Sequence, residues 1–392
     1  MGRPVLRTRL CDILDIEYPV ILAGMGGVAT AELVAAVSEA GGLGIVGAAT
    51  MPPDEIERQV RRIRDLTSKP FGVDILLPSG VARPEAPANG GGGDRAEKRE
   101  AARIPANVRE LLPQPYREFI ASAEREFGLP EKAAQEEMSQ GIRRGFGGNF
   151  AQSQVEAILD LKVPVFASGL GNPAPYVEAF HKNGAKVIAL VGNVKNARRV
   201  ADGGTDVVVA QGTEAGGHTG RIGTMALLPQ VIDAVAPTPV CAAGGIGDGR
   251  GIAGALAMGA DGVWVGTAFL VSKEASWPEV LKQRILAATE EDTRVTRLYS
   301  GKTMRNINNP LIEYWESQRL DALPMGLQGI VSGEIMAAAR QANKLELLMN
   351  PAGQISGMLH EMRPARDILD DMVREAAEIL SDGLSKRVQA SL

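Results

Sequence analysis

Cysteine is nearly absent from this 392-residue chain, which has only Cys11 and Cys241. Two thiols so far apart make neither a disulfide framework nor a metal motif. Both read as small apolar residues in a reduced compartment. Aromatics are only 4% of the residues, so the core must be built from Val, Ile, Leu and Ala, which suits a buried parallel sheet. Histidine occurs three times, never with zinc-ligand spacing, and no metal is expected. An excess of positive charge is also missing. The net charge of −5 argues against a general nucleic-acid or anionic-membrane surface. No apolar run is long enough to span a bilayer, and residues 1–15 lack the apolar core of a signal peptide. A soluble, cytoplasmic protein is the expectation.

Glycine is plentiful, at 46 residues, and clusters just after short apolar runs. Those runs alternate with amphipathic stretches. Strands are expected at 18–23, 42–46, 71–76, 163–167, 186–191, 207–211, 239–243 and 262–265. Helices are expected between them at 30–39, 53–66, 153–161, 173–183, 194–202, 222–235 and 249–258, with Thr30 as the cap of the first. Eight βα units predict an α/β fold, a (β/α)8 TIM barrel over 1–77 and 149–292. An open doubly wound sheet competes, but phosphate-type turns after the last two strands rather than the first favour the barrel. The rhythm stops over 78–148, a segment rich in charge, Pro and Gly, read as a helical insertion with helices at 94–103, 115–127 and 131–140. Beyond a closing helix at 277–289, residues 293–392 read as a helical C-terminal extension without a strong strand. Its helices are expected at 332–349 and 365–380, packed on the barrel or on a second subunit of a homo-oligomer.

Four stretches carry chemistry. Ala242-Ala243-Gly244-Gly245-Ile246 follows the seventh strand, and Val265-Gly266-Thr267 follows the eighth. Paired glycines let backbone N–H groups approach a phosphate, and barrels of this kind commonly build phosphate sites there. The third stretch, Gln211-Gly212-Thr213-Glu214-Ala215-Gly216-Gly217-His218, opens at the carboxyl end of the sixth strand. It is too glycine-rich for a core element and places a proton-exchanging His218 on the catalytic face. Glu214 there either meets substrate or fixes the loop. His181 and His360 read as packed or solvated. Finally, Ala23-Gly24-Met25 after the first strand leaves backbone that can lie flat against a planar ring.

These motifs resemble the nitronate monooxygenase family, formerly the 2-nitropropane dioxygenases. The resemblance rests on residues 18–25, Ala40-Gly41-Gly42-Leu43-Gly44, Lys69-Pro70-Phe71-Gly72-Val73, residues 214–218 and 242–246, and Gly259-Ala260-Asp261-Gly262-Val263. It covers about 18–309, the insertion excepted. Flavin-dependent enoyl-acyl-carrier-protein reductases and flavoproteins acting on coenzyme A thioesters share nearly the same motifs. The resemblance implies FMN over the carboxyl ends of the strands. Ala23, Gly24 and Met25 would line the isoalloxazine, with Asp74, Gln211 and Gly217 nearby. Gly244, Gly245, Ile246, Gly266 and Thr267 would hold the phosphate, and His218 would be the catalytic acid or base. A monooxygenase would oxidise nitronates with dioxygen to a carbonyl product and nitrite. A reductase would take electrons from NAD(P)H and pass a hydride to an enoyl thioester. A catalytically silent flavin-binding scaffold is the third reading. Asp74 is a departure, because the family usually has Asn there; a carboxylate would disfavour an anionic reduced ring unless protonated or paired. The insertion is a second departure. It leaves the active-site face after the third strand, and Arg143 and Arg144 beside Gly145-Phe146-Gly147-Gly148 read either as a lid whose cations meet the phosphates of a thioester substrate or as part of a solvated helical decoration.

Overall fold

A computed structural model describes residues 4–77, 108–131 and 150–389. Its strands in chain order are β1 (Val20–Leu22), β2 (Gly44–Gly47), β3 (Phe71–Leu76), β4 (Val165–Leu170), β5 (Lys186–Val191), β6 (Val207–Gln211), β7 (Gly217–His218), β8 (Val240–Ala243), β9 (Gly262–Val265), β10 (Thr293–Thr296) and β11 (Met304–Ile307). Eight of them pair in parallel in the order β1-β9-β8-β6-β5-β4-β3-β2. Leu22 N–H donates to Leu43 O (2.9 Å) and Leu43 N–H to Val20 O (2.9 Å), which closes the ring. The (β/α)8 barrel expected from eight βα repeats is therefore the fold.

Side chains alternate between two cores, as the two-residue period of a strand requires. Val207 and Val209 point inward with Ile21, Ile45, Ile188 and Trp264, while Val208 and Ala210 point outward against the helices. The helix Arg9–Leu14 adds Leu10, Cys11 and Leu14 to the inner cluster. It is tied to the start of β9 by Arg9, whose Nε and Nη2 donate to Asp261 Oδ1 (2.5 Å) and Oδ2 (3.0 Å). Cys11 and Cys241 are free, buried members of the same cluster. Thr30 occupies the expected N-cap position of Ala31–Ala40, but its side chain makes no capping bond. Gln59 Oε1 instead accepts the Ala31 N–H at 2.9 Å, so a neighbouring helix satisfies the helix end.

A third apolar cluster lies apart from the barrel. It joins Phe119, Ile120 and Ala123 of the helix Gln114–Glu126 to Ile312, Trp315, Ile330 and Ile335 of the tail. Arg109 binds these pieces together, donating from Nε to Glu334 Oε2 (2.5 Å) and from Nη2 to Glu124 Oε1 (2.6 Å). The tail is mostly helical, with helices at Pro310–Ser317, Leu327–Gln341 and Ala365–Glu378. The expectation that it holds no strong strand is qualified by two short ones, β10 and β11. They form an antiparallel sheet with β7 in the order β10-β11-β7. Four-residue strands leave little periodicity, and the partner of β11 on its other edge, β7, lies over 80 residues upstream, which a local pattern cannot register. Among the described residues no helix is long and apolar enough to cross a membrane.

Candidate functional site

The inward face of the barrel ends, at its carboxyl rim, in small residues and one acid. Val73 and Ile75 belong to the outer core, so Gly72 and Asp74 face inside. Asp74 lies opposite Gly47 of β2 and Ala167 of β4 and is only 6% exposed. Its Oδ1 accepts the Gly169 N–H at 2.6 Å. A Cβ on Gly24 would fall 2.4 Å from Asp74 Cβ, and one on Gly169 would fall 2.8 Å from Oδ2. Both positions need glycine because the carboxyl fills the space a side chain would take. Burial pushes the Asp74 pKa up to about 7, against the opposing pull of the Gly169 N–H.

The two glycine turns sit on the same rim. Gly244 and Gly245 have φ of +91° and +75°, the left-handed region open to glycine. Gly266 caps the short helix Thr267–Leu270, and a Cβ there would lie 3.4 Å from Ala23 Cβ and 3.6 Å from Met25 Sδ. The turns after β1 and β9 therefore adjoin. Ile246 joins the outer core, leaving its backbone for the turn.

His218 is positioned by a different part of the chain. β7 pairs with β11, with His218 opposite Met304 and Gly217 opposite Arg305. Gln211 Nε2 donates to His218 O at 2.5 Å, and Ser300 Oγ lies 2.8 Å from His218 Nε2. Ser300 Oγ accepts the Lys302 N–H (3.3 Å) and also lies 3.3 Å from Met304 Sδ. A thioether is a weak acceptor, so the hydroxyl proton is better placed on the imidazole, which fixes Nδ1–H as the tautomer. Burial, then the Lys302 charge, lowers the His218 pKa below its ordinary value. The ring is neutral at neutral pH.

Glu214 is committed to the scaffold. Its two carboxylate oxygens accept the Thr224 N–H at 2.9 and 3.1 Å at the start of the helix Thr224–Val235. The backbone around it meets the tail: Gln354 N–H donates to Glu214 O (3.0 Å) and Gly353 N–H to Thr267 Oγ1 (2.9 Å). A Cβ on Gly353 would fall 2.6 Å from Glu214 O. The tail segment at 350–358 thus lies on both the His218 loop and the Thr267 turn. Arg305, 8% exposed, donates to Thr213 O at 3.0 Å. The sequence reading missed Ser300, Arg305, Gly169 and Gly353. The alternating Thr293-Arg294-Val295-Thr296 run and the Pro351-Ala352-Gly353 break were the signals available for the tail. Arg143 and Arg144 lie outside the described residues. A cleft of about 520 Å³, lined by Asp15, Arg64, Lys69 and Lys186, opens at the amino ends of β3 to β5, the opposite end of the barrel from these groups.

The family model described as nitronate monooxygenase matches residues 7–375. A Mycobacterium tuberculosis protein with a provisional monooxygenase name is 38% identical over 379 residues, 94% of this chain and 96% of that one. Among solved structures, FabK from Thermotoga maritima superposes with a TM-score of 0.74 at 31% identity, covering 98% of this chain and 100% of that one. Nitroalkane oxidase from Streptomyces ansochromogenes gives 0.73 at 29% identity, covering 95% and 99%.

Proposed function

The chain belongs to the nitronate monooxygenase family, and from that premise we propose that it is an FMN-dependent oxidoreductase that oxidises nitronates with dioxygen to a carbonyl product and nitrite. The observation that carries this reading is His218: a neutral imidazole, held at Nε2 by Ser300, on the same rim as the two glycine turns.

The residues present fit FMN. Gly244, Gly245 and Gly266 form a cradle that side chains would fill, with backbone N–H groups for a phosphate. Thr267 Oγ1 accepts from Gly353, which leaves its proton for a phosphate oxygen. Ala23, Gly24 and Met25 offer a flat surface for the ring, with Asp74, Gln211 and Gly217 beside it and the Ile246 backbone beside the phosphate. FMN, when bound, supplies a two-electron acceptor. The protein orients it, excludes water with the tail segment at 350–358, and uses His218 Nδ1 as the group that exchanges a proton with substrate. Arg143 and Arg144 are proposed contacts to the phosphates of a larger thioester substrate.

The similarity to FabK favours one second reading, an NAD(P)H-dependent reductase of enoyl thioesters. Anaerobic mixing of the flavin-loaded protein separates the two. Rapid bleaching by a nitronate, with none by NADH or NADPH, supports the monooxygenase. Rapid bleaching by a nicotinamide alone overturns it in favour of the reductase. Bleaching by neither supports a silent scaffold, whereas a His218→Ala variant that keeps FMN and full turnover would overturn the role given to His218.

A further inference from the structure

We infer that Asp74 grips the flavin as a neutral carboxylic acid, donating a hydrogen bond from Oδ2, so that cofactor affinity falls as this carboxyl ionises. The inference rests on the flavin reading above.

Three observations lead to it. Asp74 is buried at the carboxyl rim, and its side chain points into the barrel against Gly24 and Gly169. Its two oxygens are unlike. Oδ1 accepts the Gly169 N–H at 2.6 Å, whereas Oδ2 makes no hydrogen bond among the described residues. A proton on the carboxyl therefore belongs on Oδ2, the oxygen that still has a partner to find. Among the described residues of the elements packed on it, nothing compensates a negative charge. The packed elements are the turn Ala23-Gly24-Met25, β2 (Gly-Ile-Val-Gly) and β4 (Val-Phe-Ala-Ser-Gly-Leu), which carry no ionisable side chain. A buried carboxylate without a cation is disfavoured, and such a group neutralises instead.

The backbone shows that the carboxyl is built in. Gly24 and Gly169 are the two residues whose Cβ atoms would overlap it, so the chain forgoes side chains after β1 and in β4 to seat this one. Gly24 is also the residue expected beneath the ring. A donor at Oδ2 thus sits against the surface where the flavin would lie, and it matches the acceptors N1, O2, O4 and N5 of a flavin edge rather than its single donor, N3–H. An ionised Asp74 turns that donor into an acceptor and places a negative charge against the same edge. Both changes weaken binding.

The test is FMN binding, read by quenching of flavin fluorescence on titration into the deflavinated full chain between pH 6.5 and 8.5. The second ionisation of the FMN phosphate lies near pH 6 and affects every variant alike. If only the neutral acid binds and it ionises near pH 7, the wild-type Kd rises roughly 25-fold over this range. Asp74→Asn keeps a donor at the Oδ2 position at every pH, so its Kd stays within about threefold across the range. A wild-type Kd that does not change with pH overturns the inference and leaves the flavin reading standing. An Asp74→Asn variant that loses affinity in parallel with the wild type does the same, because another group is then titrating. Absence of FMN binding by either protein at any pH overturns the flavin reading itself. The wild-type profile needs no variant, so the test survives if Asp74→Asn folds poorly.

Discussion

Asp74 also makes a prediction about the protein without cofactor. Burial pushes its pKa up to about 7 from the ordinary 3.8 of an aspartate, so the folded chain holds this proton more tightly than the unfolded chain. The sign follows from linkage. Stability falls as pH climbs from the unfolded value towards the folded value, and is flat above the folded value. At ~1.36 kcal/mol per unit the full penalty is ~4 kcal/mol, of which about 2.5 kcal/mol accrues between pH 5 and pH 8. No discount for solvent applies, because the group is fully buried. Asp74→Asn preserves the shape and the acceptor for the Gly169 N–H but cannot ionise. Urea unfolding of cofactor-free wild type and variant at both pH values measures the effect. The stability of the variant relative to wild type should rise by about 2.5 kcal/mol from pH 5 to pH 8. The comparison cancels every group the two proteins share. A rise under ~0.5 kcal/mol, the scale of ordinary surface substitutions, would show that the carboxyl is solvated, and the reasoning would fail.

Three further outcomes are expected. Arg109→Ala leaves Glu124 and Glu334 buried, with side chains 6% and 2% exposed; it should lower stability by about 3–5 kcal/mol and make the helix Gln114–Glu126 sensitive to protease. Unchanged urea midpoint and cleavage pattern would refute the role given to that triad. Ser300→Ala removes a donor to His218 Nε2 that favours the neutral ring. The His218 pKa, followed by NMR of the imidazole, should rise, and a fall would reverse the assigned tautomer. Gly353→Ala puts a Cβ against Glu214 O. It should destabilise by about 1–3 kcal/mol and weaken FMN binding, whereas wild-type stability and affinity would mean that the tail segment yields freely.

The barrel was legible because its signal is local and repeated. The expected strand at 71–76 is β3 and that at 207–211 is β6, residue for residue. Apolar runs such as Val207-Val208-Val209 need no distant partner to be recognised, and the insertion helix expected at 115–127 appears at Gln114–Glu126. The glycine turns were legible for the same reason, since left-handed backbone at Gly244 and Gly245 narrows the choice of residue. What escaped is non-local. The Ser300–His218 contact spans 82 positions and Gly353–Thr267 spans 86, and no period within either segment encodes the other. Glu214 illustrates a third case. Its residue type was noticed, but whether it faces substrate or a helix start depended on where Thr224 folds back.

The β10-β11-β7 sheet carries a consequence for how the molecule is made. His218 is synthesised before residue 220, yet the strand that aligns it is Met304–Ile307 and the segment that covers its loop is at 350–358. A chain emerging from the ribosome can complete its barrel strands with β9 at Val265 while this histidine still has no fixed position. Long-range pairing of this kind forms late, because chain closure must precede any gain from contact. Activity is therefore a property of the finished chain. The helix Ala365–Glu378 also packs Leu369, Met372 and Val373 into the outer core of the barrel, so a message truncated after the barrel codons leaves both the fold and the site incomplete.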